Sequence, residues 1–187
     1  MIAKVVGCAA PGEAPAAFQA SGGFRAQWAL ILAGGSAGAR VLRVRAAGCL
    51  SSDPEWALRE IRATQALAGG RSRGARTYRL VVAFHLGERP GPDVLDDVEE
   101  ALVAAAGLAG HQRLSALHDD GARWWLQIAV SKVHPATFRT VTPFYDRRRL
   151  MAACGALEAK HGLAPDHHRG GAAWERARPG CGGGRCS

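Results

Sequence analysis

A chain of 187 residues is long enough to bury one proper core and too short for two, so a single domain with ragged ends is expected. No apolar run reaches the roughly 18 residues that a bilayer-spanning helix needs, and Pro, Gly and Glu interrupt the N-terminal stretch where a secretion signal would be unbroken. A soluble, cytoplasmic protein is therefore the default expectation, with a net charge of +8 that rests almost wholly on arginine.

Residues 1–6 read as a short strand, followed by the loop-like PGEAPAAFQASGG. FRAQWALILAG reads as a helix ended by Gly34 and Gly35. In VLRVRAAGC the alternation expected of a strand puts Val41, Arg43 and Arg45 on one face and Leu42 and Val44 on the other. SSDPEWALREIRATQALAG is a helix with capping-box spacing from Ser52 to Glu55 and Pro54 in its first turn, and Trp56, Leu58, Ile61 and Leu67 are its expected buried side. GGRSRGAR is a basic loop, and TYRLVVAFHL a β-branched and aromatic interior strand.

The turn GERPGP leads into a helix, PDVLDDVEEALVAAAGLAG, with acids in its first turns and glycine at its end. QRLSALH and RWWLQIAVSKVH are two strands joined by the tight DDGA turn, with Trp124 and Trp125 on opposite faces and one of them expected to be buried. DRRRLMAACGALEAKHGL is a last amphipathic helix. The Gly-rich tail from residue 166 onward is expected to be disordered, leaving 1–165 as the domain. The short hairpin makes its strands antiparallel. The expected class is therefore α+β, a largely antiparallel sheet of about five strands with helices packed on it.

Cys8, Cys49, Cys154, Cys181 and Cys186 form no disulfide framework and no zinc-knuckle spacing, and His167 and His168 do not complete one, so reduced thiols and no metal are expected there. Arginine presents a planar fork of donors that suits phosphate, so a nucleic-acid partner is physically reasonable. The bland alternative is a GC-rich genome that writes arginine for lysine, since only Lys4, Lys132 and Lys160 are lysines.

Three segments carry a resemblance: RTYRLVVAFHLGERPGPDVLDDVEEAL, AGHQRLSALHDD and IAVSKVHPATFRTVTPFYDRRRLMAACGALEAKHGL, with the opening MIAK beside them. Together, over roughly residues 41–163, they resemble the conjugative relaxases of the mobilisation-protein family, HUH-type nucleases that nick one DNA strand at a transfer origin. The resemblance implies the relaxase fold, a divalent metal such as Mg or Mn, DNA as partner, other relaxosome proteins as possible company, and no membrane. It also implies a tyrosine nucleophile on the first helix, two histidines spaced HxH on a strand with a third nearby, and a serine and a histidine in neighbouring motifs.

The chain departs from that pattern. His118 matches the leading histidine and Asp120 the acid after it, but the HxH positions are Trp125 and Gln127. Residues i and i+2 on a strand share a face, which is how HxH offers two imidazoles to one ion; tryptophan cannot ligate and a glutamine oxygen is a weak neutral ligand. The tyrosine falls on Leu30 counted back from Cys49 and on Phe24 counted forward from Phe18, and neither carries a hydroxyl. The motif serine is Ala83, the histidine after TY is Arg79, and the motif asparagine is Ser131.

His118 is read either as a surviving DNA contact or as an inherited polar residue. Trp125 either stacks on a base or fills the metal cavity. Arg71, Arg73, Arg76 and Arg79 are expected to track a phosphate backbone or to be a solvated loop, and Lys132, Arg147, Arg148 and Arg149 are further candidate DNA contacts. The leading functional expectation is a relaxase-family DNA-binding protein of plasmid mobilisation with nicking lost. The alternatives are an active relaxase with a rearranged site, for which Ser21 or Ser36 would supply the hydroxyl, and a truncated remnant.

Overall fold

The structure, a computed structural model, describes residues 1–6, 23–33, 39–69 and 75–165. In chain order the elements are β1 (Ile2–Val6), α1 (Phe24–Leu32), β2 (Arg40–Ala47), α2 (Pro54–Leu67), β3 (Thr77–Ala83), α3 (Pro92–Ala105), β4 (Arg113–Asp119), β5 (Trp124–Ser131) and α4 (Asp146–His161). This is the expected element order. The strands form one five-stranded sheet, ordered β1-β3-β5-β4-β2, with every pairing antiparallel.

Because side chains alternate across the pleat, the sheet builds two cores. On one face Leu114, Ala116 and Ala129 pack against Phe24, Trp28 and Ile31 of α1 and Ala57, Leu58 and Ile61 of α2. On the other, Leu80, Val82, Ile128 and Val130 pack against Leu95, Val98 and Leu102 of α3 and Leu150, Cys154 and Leu157 of α4. A fully buried Leu, Ile or Phe contributes about 1.5–3 kcal/mol, so both helical layers are tied to the sheet by hydrophobic burial.

Local chemistry sets the boundaries. The α2 N-cap is Asp53, whose carboxylate accepts from the backbone N–H of Glu55 and Trp56, so the Ser52–Glu55 box is corrected by one residue. Trp56 and Leu67 are exposed, contrary to expectation, and Ala57, Thr64 and Gln65 take the buried side with Leu58 and Ile61. The small Ala57 lets the helix approach the sheet, while the Arg59 guanidinium lies 4.8 Å over the Trp56 ring at the surface.

In β2 the register shifts between Val41 and Arg43: Val41 pairs with His118 and Arg43 with Leu117. This bulge at Leu42 turns Val41 onto the α1/α2 face, away from Arg43 and Arg45, where strict alternation had grouped all three. Arg43 and Arg45 meet the acids of α3 instead. Asp96 pairs with both, and the nearly inaccessible Glu99 accepts from Arg45 at 2.9 Å, Arg113 at 2.7 Å and the Ser115 hydroxyl at 2.6 Å. Gly34, Gly35 and the tail from 166 lie outside the described residues. None of the described helices is long and apolar enough to cross a membrane.

Candidate functional site

The registers align the residues singled out by the sequence on the α1/α2 face. In one rung, Val41 of β2, His118 of β4, Trp125 of β5 and Ala83 of β3 stand side by side. The next rung holds Val44, Ala116, Gln127 and Val81, and the one after it Ala46, Leu114, Ala129 and Arg79. Trp125 and Gln127 thus share a face, as their i, i+2 spacing requires, with His118 directly across from Trp125.

His118 is 0% exposed, and neither ring nitrogen has a hydrogen-bond partner among the described residues. Burial lowers its pKa and keeps the ring neutral. The Trp125 ring meets it edge-on, with centroids 5.9 Å apart, and the Trp125 indole N–H is also without a partner among the described residues. Trp124 and Trp125 are both half-buried, so the expectation that one would be buried outright is corrected. Trp124, on the opposite face, has the Arg89 guanidinium 5.2 Å from its ring, and Trp125 lies at the sheet's hairpin end where neither α1 nor α2 covers it fully.

One rung deeper, Gln127 and Arg79 form a diagonal pair: Nη2 of Arg79 donates to Oε1 of Gln127 at 2.8 Å, and Nη1 reaches Oε1 of Gln27 on α1 at 3.4 Å. Burial pushes the guanidinium pKa down. Arg79 is thus a strand residue with 5% exposure, and not part of a solvated basic loop. Nothing in the residue pattern marks this pairing beyond the shared parity of the two positions on neighbouring strands.

The other candidates are dispersed. Asp119 and Asp120 stitch the hairpin turn: Asp119 accepts from the Gly121 N–H at 2.7 Å, and Asp120 from Ala122 and Arg123 at 3.0 and 2.8 Å. Asp120 is therefore spent on the backbone of the turn. Ser131, at the far end of β5, is buried and its hydroxyl receives Gln65 Nε2 at 3.2 Å. Of the two positions for a first-helix nucleophile, Phe24 is buried core and Leu30 is half-buried.

Arg76 is half-buried and donates to the Gln65 carbonyl at the α2 C-terminus; Arg71 and Arg73 lie outside the described residues. Lys132 is half-buried, and Arg147 and Arg148 are exposed on the first turn of α4. Arg149 donates to the Phe144 carbonyl at 2.9 Å and reaches the Ala106 carbonyl at 3.5 Å, which gives it a structural role at the end of α3. Among the described residues no three His, Cys, Asp or Glu side chains converge as metal ligands would.

The family model described as relaxase, MobA/VirD2-like, nuclease domain, matches residues 36–163. The chain belongs to the MobA/VirD2-like relaxase family. Two TraI proteins of Escherichia coli are 37% and 35% identical to it over 129 residues, 69% of this chain but 17% and 18% of theirs. A MobA protein of Acidithiobacillus ferrooxidans is 30% identical over 61 residues, covering 33% of this chain and 15% of its own. The chain therefore spans less than a fifth of the length of these relaxase-family relatives. No solved structure matches it. The matched span includes the His118–Trp125 rung and Gln127 with Arg79, whereas α1, with Phe24 and Leu30, precedes it.

Proposed function

We propose that this relaxase-family domain binds single-stranded or transfer-origin DNA in plasmid mobilisation and does not nick it. The observation that carries the reading is the His118–Trp125 rung, where a buried imidazole and an indole N–H lie together without partners among the described residues. Buried polar atoms left unsatisfied are uncommon and ask for a role, and a half-exposed tryptophan offers an aromatic face to a nucleobase.

A divalent ion does not fit this donor set. Trp125 has no lone pair to give, and the Gln127 oxygen already accepts from the Arg79 guanidinium, whose charge opposes a second cation beside it. With no hydroxyl at Leu30 or Phe24, no covalent phosphodiester exchange can begin from α1. Each ~1.4 kcal/mol of lost transition-state stabilisation is tenfold in rate, and metal polarisation alone supplies several. DNA contacts from Lys132, Arg76, Arg147 and Arg148 would add the salt-dependent part of the affinity.

The test combines two assays. Supercoiled plasmid carrying the cognate transfer origin, incubated with the protein and Mg²⁺ or Mn²⁺, is expected to stay supercoiled. Fluorescence anisotropy with a labelled origin strand is expected to report binding that is tighter than for a scrambled strand and weakens with salt. Relaxed plasmid would contradict the loss of nicking, and absence of DNA binding would contradict the binding role.

A further inference from the structure

We propose that Phe144 and Tyr145, on the connection between β5 and α4, form a second base-stacking platform for single-stranded DNA, with Arg147 and Arg148 taking the adjacent phosphates. The inference deepens the DNA-binding reading and rests on it. It concerns a different surface from the His118–Trp125 rung: Trp125 is the second residue of β5, whereas this connection leaves from its other end, six residues and about 20 Å along the strand.

The first observation is backbone conformation. Among the described residues only Phe138 and Tyr145 are non-glycines with positive φ, at 53° and 50°, and both lie on this connection. A left-handed conformation costs an L-residue about 1–2 kcal/mol, which Gly would avoid and Asn or Asp would reduce. Here the strained positions hold aromatic rings, and burial does not repay the strain at Tyr145: it is 83% exposed, against 39% for Phe138, and the unstrained Phe144 beside it is 71% exposed. Strain combined with exposure at large apolar side chains marks a surface kept for contact rather than for packing.

The second observation is rigidity. Phe144 and Tyr145 meet edge to face with centroids 4.9 Å apart. Arg149 holds the Phe144 carbonyl at 2.9 Å, and the Asp146 carboxylate accepts the Tyr78 hydroxyl at 2.7 Å, fixing the start of α4 to β3. A short bridge between Val133 and Thr140, with Val141 N–H bonded to the Lys132 carbonyl at 2.8 Å, closes the base of the connection. A preorganised ring pair loses little entropy when a base stacks on it.

The third is charge. Arg147 and Arg148 follow within four residues of Phe144, are exposed, and make no hydrogen bond or ion pair with another described residue. The nearby acid, Asp146, is engaged by Tyr78. Cations just after a pair of exposed rings complement a strand that presents phosphates and unpaired base faces together; in a duplex those faces are stacked away.

The experiment is fluorescence anisotropy of the full chain against a labelled thymidine homopolymer. The double variant F144A/Y145A is expected to lose about tenfold or more in affinity with the salt dependence unchanged, since no phosphate contact is removed. F144Y/Y145F, which keeps both rings, is expected to bind as the parent does. R147Q/R148Q is expected to bind more weakly and with a shallower salt dependence. Parent binding that F144A/Y145A leaves intact overturns the platform while the DNA-binding reading stands; a parent that does not bind overturns that reading and this one with it. Photo-crosslinking of the unmodified chain to a 5-iodouracil strand gives a readout independent of variant folding: adducts on Phe144 or Tyr145 support the platform, and adducts confined to Trp125 overturn it.

Discussion

The guanidinium of Arg79 and the amide of Gln127 are joined at 2.8 Å across β3 and β5, so a fixed cation lies beside the second of the two positions at which the resemblance places imidazoles. Removing the acceptor leaves a buried charge with one bond fewer. Gln127→Leu is expected to lower stability by about 1–3 kcal/mol in urea unfolding, although it adds apolar volume to a sheet interior. Unchanged stability would mean that the bond contributes nothing net.

His118 and His111 both have their pKa lowered, mainly by burial; for His111 the bond to the Ser131 carbonyl opposes the shift and the charge of His134 adds to it. In the unfolded chain both titrate at about 6.5. Between that value and the lowered folded ones, the unfolded state binds more protons. Stability from this source is therefore complete above about pH 6.5 and is lost as pH falls below it. Urea midpoints measured across this window should drop on acidification, and His118→Phe should flatten part of the slope.

Glu99 is 2% exposed and gathers Arg45, Arg113 and Ser115 around one carboxylate. Glu99→Ala takes the Nε acceptor from the buried Arg113 and leaves it Glu100 alone, for which a loss of about 1–3 kcal/mol is expected. Glu99→Gln keeps the shape and one acceptor and should cost less. Equal losses in chemical denaturation would point to packing instead of charge.

Gly48 has φ +70, and a Cβ placed on it would stand 2.8 Å from the His111 carbonyl oxygen. That oxygen belongs to backbone and cannot swing aside as a side chain would. Gly48→Ala is expected to destabilise the domain by at least about 1–2 kcal/mol, read as a lowered thermal midpoint.

Periodicity was enough to place every described strand and helix to within a few residues, because β2, β3 and the β4–β5 hairpin alternate and the helices carry caps or end at glycine. Local pattern failed where a single residue changed the geometry. The bulge at Leu42 moved Val41 across the sheet, and Asp53 displaced Ser52 as cap because its carboxylate reaches two N–H groups at once. At the site, the i, i+2 spacing put Trp125 and Gln127 on one face, and only the registers set His118 across from Trp125. The partner of Gln127 was not legible, since Arg79 stands 48 residues earlier and the two meet only through the β3–β5 pairing. Phe144 and Tyr145 escaped for a related reason: sequence reading assigns exposed aromatics no partner, and left-handed backbone carries no signal outside Gly and Asn.

The arginines of β2 and β4 have a consequence for how the molecule travels. Arg43, Arg45 and Arg113 are locked onto Asp96, Glu99 and Glu100, so the flank covered by α3 is close to electrically silent despite its arginine content. Arg139, Arg147 and Arg148, on the far connection, remain exposed to solvent. A polyanion approaching from a distance would therefore feel little pull from the α3 flank, and that flank is removed from the orientational search that otherwise slows association.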